Sequence, residues 1–186
     1  MIQAGNLDGL SMHIMYDALN PFIYAFPAIE VTTGEYITLH LQTFESVCVN
    51  ETGDDLSASG GKETSPVARD LWVSGTAKLL HQTDIVYVQD ANGRIMDAVV
   101  MNEMPSIEWN SNQAHFAEIT DRLFNAGMWQ SSDGSKPSPF DSVNTSAIGK
   151  TTFKSVSRCE GRENTHSAKD WYITNTGDIT PGEPNQ

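Results

Sequence analysis

Several stretches of this chain alternate apolar and polar residues from one position to the next, and that period of two predicts strands. Between Leu10 and Ala18 the alternation is rough, with Met12, Ile14 and Tyr16 on one side and Ser11, His13 and Met15 on the other. Asn20-Pro21 marks a turn, Phe22-Ile23-Tyr24-Ala25-Phe26 follows, and the two stretches read as a hairpin. After a further turn at Thr32-Thr33-Gly34 comes the clearest strand, Glu35 to Thr43. There Ile37, Leu39 and Leu41 face one way, and Tyr36, Thr38 and His40 the other. Asp84 to Asp90 is a nearly continuous apolar strand, Asn92-Gly93 is a strong hairpin turn, and the partner strand runs from Arg94 to Met101. A last β region covers about Thr151 to Arg158 and Asp170 to Thr174.

One segment breaks the period of two. From about Asn112 to Asn125 the residues Phe116, Ile119, Leu123 and Phe124 fall at helical spacing, which predicts a short helix near 112–127. Asn112 suits its N-cap and Gly127 the left-handed residue that ends it, with Met128 and Trp129 as an apolar anchor beyond. Residues 50–66 form a long polar stretch rich in Gly, Ser and Asp, of the kind that is often functional or mobile. The segment 130–150 is rich in Ser, Pro and Gly and reads as loop. After the strand Asp170-Trp171-Tyr172-Ile173, the run Thr180-Pro181-Gly182-Glu183-Pro184-Asn185 cannot continue a sheet, because its prolines donate no backbone hydrogen bond.

The order of these signals resembles the lamin tail domain family. Gly34-Glu35-Tyr36-Ile37-Thr38-Leu39 is similar to that family's strand after a turn glycine. Asp84 to Val99 is similar to its hairpin, and Ser157-Arg158, Asp170-Trp171 and Thr180 to Asn185 to its closing pattern. The resemblance implies an immunoglobulin-like β-sandwich over residues 1–186 as a single lamin-tail-like domain. A helix and loop insert would occupy about 110–150. It also implies a non-catalytic role in binding or tethering, in a secreted, periplasmic or surface-attached protein. The family's opening strands have no counterpart before Gly5-Asn6-Leu7-Asp8-Gly9-Leu10. An incomplete N-terminal edge would leave unpaired backbone, and predicts strand exchange or a homodimer.

Composition narrows the partners. Hydrophobic residues make up 39% and charged residues 19%, the proportions of a globular protein. Asp plus Glu number 24 against 11 Lys plus Arg, a net charge of -13. Such a balance opposes unaided binding to nucleic-acid phosphates and to anionic membranes, and it also serves simply to keep a protein soluble. No apolar run approaches the roughly 18 residues of a membrane span, and no signal peptide is visible. Cys48 and Cys159 are far apart in sequence, and a disulfide and two buried thiols are both open.

Candidate chemistry is sparse. Glu51, Asp54 and Asp55 cluster oxygens in the polar stretch and are weak candidates for Ca²⁺, without the spacing of an EF-hand. His115 and Glu118 stand three apart on the helix, too few ligands for a site by themselves. His40 lies on the polar side of its strand and reads as exposed or packed. Asp97, inside an apolar strand, should be buried and tied to a loop amide. Gly60-Gly61-Lys62 lacks the strand and helix of a phosphate-binding loop. Ser57, Ser59 and His81 have nothing that would fix them as nucleophile and base. Trp72, Trp109, Trp129 and Trp171 read as core or loop anchors. The expected function is therefore a non-catalytic binding or adhesion module without cofactor, recognising a protein or a cell-surface polymer. The alternative is an accessory domain of a hydrolase, or a small Ca²⁺-dependent enzyme using the acidic 50–66 stretch.

Overall fold

The computed structural model describes residues 5–16, 20–41, 48–59, 64–74, 80–105, 108–109, 114–149, 154–159, 163–178 and 181. In chain order the strands are β1 (Gly5–Asn6), β2 (Ser11–Ile14), β3 (Phe22–Ala25), β4 (Glu30–Val31), β5 (Tyr36–His40), β6 (Ala68–Trp72), β7 (Asp84–Gln89) and β8 (Ile95–Asn102). The helix α1 (Ala114–Asn125) follows, then β9 (Val143–Asn144), β10 (Val156–Arg158) and β11 (Trp171–Ile173). Among the described residues the protein is mainly β, with several sheets and one inserted α-helix, in keeping with a β-sandwich that carries a short helical insertion. The chain gathers into two compact units: Met1–Leu10, Tyr24–Leu79 and Thr180–Pro184 in one, Ser11–Ile23, Leu80–Ile179 and Asn185–Gln186 in the other.

In the first unit β1 pairs antiparallel with β4, so the described chain begins paired. Gly34, at φ 86°, closes the turn before β5, and the Thr32 amide donates to Glu35 Oε2 at 3.0 Å. The strand expected from Glu35 to Thr43 is described as far as His40, and residues 42–47 lie outside the described chain. β5 pairs in parallel with β6, from Tyr36 opposite Ala68 to His40 opposite Trp72. Alternation sends Ile37 and Leu39 into a cluster with the buried Leu7, Ile29, Val31 and Leu71. A parallel pair requires a crossover rather than a tight turn, and the polar 50–66 stretch lies within it. Part of that crossover lines the outer edge of β6: the Glu51 amide donates to the Asp70 carbonyl at 3.0 Å, and the Trp72 amide to Asn50 Oδ1 at 2.6 Å.

The five-stranded sheet has the order β3-β2-β7-β8-β9, which puts the two arms of the expected N-terminal hairpin side by side. β7 and β8 form the Asn92-Gly93 hairpin, with Ile85 opposite Val100 and Tyr87 opposite Ala98. Gly93 takes φ 77°, while His166 is the one described non-glycine residue at positive φ. The connection is thus a turn ending in a left-handed glycine rather than a two-residue mirror-image turn, and Asp90 Oδ1 clamps it by accepting from the Asn92 and Arg94 amides, both at 2.9 Å. The core joins Ile85, Tyr87, Ile95, Ala98, Val100 and Met101 to Phe116 and Leu123 of α1, with Trp129 and Val143.

The helix ends as its sequence predicts. Gly127 has φ 72°, its amide donates to the Phe124 carbonyl, and the Met128 amide donates to the Leu123 carbonyl, both at 2.9 Å. The expected N-cap Asn112 lies outside the described residues, as do Gly60-Gly61-Lys62 and, Pro181 excepted, the closing run from Thr180 to Asn185. β10 and β11 pair antiparallel with Arg158 opposite Trp171, so the expected last β region is present as a ribbon whose Val156, Trp171 and Ile173 pack on the core.

The expectation for Asp97 is corrected. Its side chain is 44% exposed rather than buried, and its partner is the Arg158 guanidinium at 2.7 Å rather than a loop amide. The residue alternates outward on β8, where water and an arginine on the neighbouring ribbon carry its charge. Both cysteines are free and half-buried. Among the described residues no helix is long and apolar enough to cross a membrane.

Candidate functional site

The second unit carries a half-exposed tyrosine stacked on a histidine, next to a buried carboxylate. Asp84 opens β7 and is wholly inaccessible to solvent. Its Oδ1 accepts from the amides of Met15 at 3.1 Å and Ile85 at 2.8 Å, and its Oδ2 from the amide of His81 at 3.3 Å. The Tyr16 amide faces the same carboxyl group. Burial pushes the Asp84 pKa up to about 6, and the ring of amide donors limits the rise. One side chain therefore fixes two short segments, the end of β2 and the approach to β7. On these segments the rings of Tyr16 and His81 stack with centroids 3.4 Å apart and planes within 8°. Tyr16 stays 49% exposed, and so does Leu80, the neighbour of His81. An aromatic and an aliphatic side chain held open on a fixed backbone can take an apolar or cationic group from a partner.

The first unit holds a buried polar network on the other face of the β5–β6 pair. Asp70 is wholly buried, and its Oδ1 meets His40 Nε2 at 2.7 Å and accepts from Thr64 Oγ1 at 2.6 Å. The Thr64 amide donates to Asp70 Oδ2 at 2.8 Å. The His40 ring stacks on buried Trp72 at 3.7 Å, leaving its side chain 22% exposed. Arg69, on the opposite face, donates through Nε to Glu35 Oε1 at 2.6 Å and through an NH group to the carbonyls of Glu51 and Gly53. Glu51 is buried, and its Oε2 accepts from the Asp70 amide at 2.6 Å. Burial, joined by the negative charge of Asp70, raises the Glu51 pKa against the pull of nearby backbone amides. A carboxylate-oriented imidazole is the arrangement of a general base, but here it also ties the crossover to the sheet.

The residues singled out from the sequence go to separate tasks. Glu51 turns inward, Asp54 is exposed, and exposed Asp55 accepts from the amide and hydroxyl of Ser57 at 2.9 and 2.6 Å. Among the described residues no three His, Cys, Asp or Glu side chains gather as a metal site. His115 Nε2 reaches the Met15 carbonyl at 3.1 Å, and Glu118 is exposed. Ser57 is engaged with Asp55, Ser59 is buried, and His81 belongs to the stack on Tyr16. Trp72 lies on His40, Trp109 packs edge-on against Phe116 at 5.3 Å, Trp129 is buried and Trp171 takes the Arg158 guanidinium on its ring at 4.6 Å. Sequence reasoning missed Asp70, Asp84 and Asp170 as buried acids. Asp170 accepts from Thr165 and Ser167 at the start of β11. The one signal available was an acid at the edge of an apolar strand, as in Asp84-Ile85-Val86.

The fold and this surface define a mainly β module with a half-exposed tyrosine–histidine stack. The chain belongs to the family described as "protein second domain", whose model matches residues 1–173 and so spans both compact units. It is 26% identical over 197 aligned residues to a protein of Treponema pallidum (strain Nichols) that bears the name "Uncharacterized protein". The match takes in 100% of this chain and 48% of that protein, so the chain spans about half the length of the curated relative it matches. No solved structure matches at a significant level.

Proposed function

We propose that the chain is a non-catalytic, lamin-tail-like binding or adhesion module of an extracytoplasmic protein, holding a protein or cell-surface polymer at Tyr16, Leu80 and His81. The observation that carries this reading is the Tyr16–His81 stack, half-exposed on its outer side yet fixed from below by buried Asp84. A surface fixed before binding loses little conformational freedom on contact, which favours recognition over mobile-loop chemistry. The reading is tested with a photo-crosslinking amino acid at Leu80 in the full-length protein, in the cells that make it, with the same group at exposed Met96 as control. Cross-links at position 80 that vanish in the Tyr16→Ala variant support it. Equal yields at 80 and 96, or yields indifferent to Tyr16, overturn it. Protease access to the protein in intact cells tests the extracytoplasmic placement. A monomer by light scattering at high concentration removes the homodimer or strand exchange expected from the N-terminal edge.

A hydrolase is the second reading, and the His40–Asp70–Thr64 contact favours it. It requires a hydrolytic activity whose rate falls in His40→Gln with binding unchanged.

A further inference from the structure

We propose that the Tyr16 surface receives a basic protein segment, with an arginine side chain laid on the Tyr16 ring; this names the partner of the binding site proposed above and rests on that reading. His81 covers one face of the ring at 3.4 Å, and Tyr16 remains 49% exposed, which leaves ring surface for a partner. The face of an aromatic ring is the negative end of its quadrupole and attracts a cation. Among the described residues no guanidinium or ammonium lies over it. The same unit shows what completes such a stack. His13 stacks on Tyr87 at 4.6 Å, and the Arg122 guanidinium sits over that same Tyr87 ring at 5.4 Å. The pair His81 and Tyr16 repeats the histidine-on-tyrosine half of that arrangement without its arginine. Arg158 over Trp171 at 4.6 Å is a second internal example of the contact.

One further feature selects a basic partner over a neutral one. The net charge of -13 sets up a field that draws cations toward the protein and repels anions. Leu80, next to His81 in the chain, is 49% exposed and adds apolar surface near the stack. Asp84 holds the backbone of both ring-bearing residues in place before any partner arrives.

The test is a titration of the whole protein with a short synthetic peptide of alternating arginine and glycine, against the same peptide with citrulline at every arginine. Citrulline keeps the shape and removes the charge. The arginine peptide is expected to bind, more weakly as salt is raised, and the citrulline peptide to lose most of the affinity. Tyr16→Leu should bind about two- to fivefold more weakly, the loss of one exposed cation–π contact. Its thermal midpoint establishes that it is folded. Equal affinity for the two peptides, or a Tyr16→Leu variant that binds like wild type, overturns the proposal. If the arginine peptide fails to bind while Tyr16-dependent cross-links persist at position 80, the basic partner is refuted and the binding reading stands. If the cross-links do not depend on Tyr16, the binding reading itself fails.

Discussion

The backbone amide of His81 donates to Asp84 Oδ2 at 3.3 Å, although the carboxylate is wholly buried. A carboxylate in that position is held by amide dipoles rather than by a cation, which is why burial wins and the Asp84 pKa rises to about 6.

That shift sets a pH dependence with a definite sign. The folded state holds the Asp84 proton up to about pH 6, whereas the unfolded chain releases it near 3.8. The folded state therefore binds more protons in this window, and stability from this group is complete below pH 4 and lost as pH rises through 6. The difference of about two pKa units corresponds to about 3 kcal/mol. Urea unfolding of wild type and Asp84→Asn across pH 4 to 7 isolates it: wild type should lose stability relative to the variant as pH rises. A flat difference would mean that Asp84 is not buried as described.

Arg69 is the second lever on stability. It is 3% exposed, pairs with Glu35 and satisfies two carbonyls of the crossover. Arg69→Ala leaves a carboxylate and two carbonyls without their donor and should cost about 3–5 kcal/mol by denaturant unfolding. Arg69→Lys keeps the charge without the forked donor geometry and should recover only part of that loss.

Gly127 isolates a backbone effect. No atom lies within 4 Å of where a Cβ would stand, so the cost of Gly127→Ala comes from φ 72° alone. A loss of about 1 kcal/mol is expected, read as a lower thermal midpoint, with Gly127→Asn less affected.

The Asp97–Arg158 pair should contribute little despite its 2.7 Å contact, because its side chains are 44% and 30% exposed. A double-mutant cycle is expected to give a coupling below about 1 kcal/mol that shrinks in high salt. A larger, salt-insensitive value would show that the pair is drier than this geometry allows.

What a few neighbouring residues specify was legible in the sequence. Asn92-Gly93 between two apolar runs announced the β7–β8 hairpin, since only a short turn with a left-handed residue joins such strands. The spacing of Phe116, Ile119 and Leu123, closed by Gly127, announced α1. The alternation from Tyr36 to His40 announced which side chains of β5 meet the core, and Ile37 and Leu39 do so. The site was less legible. Asp97 lies in an apolar run, which suggests burial, yet it is 44% exposed, whereas Asp84, at the strand's first position, is buried. The two differ in the donors around them: Asp84 gathers amides from His81, Ile85 and distant Met15, whereas Asp97 meets the Arg158 guanidinium at an exposed edge.

The sequence by itself determined the mainly β character, the hairpin, the inserted helix with its glycine end, and the inward face of β5. Each follows from periodicity or turn chemistry within about ten residues. Only the tertiary structure decided that β5 and β6 pair in parallel, that Asp70 and Asp84 are buried, and that Tyr16 lies on His81. A buried carboxylate is stable only where donors converge on it. Those of Asp84 come from Met15 as well as from residues beside it, and His40 reaches Asp70 across the strand pair. That convergence belongs to the folded chain, where side chains distant in sequence share one small volume from which water is excluded.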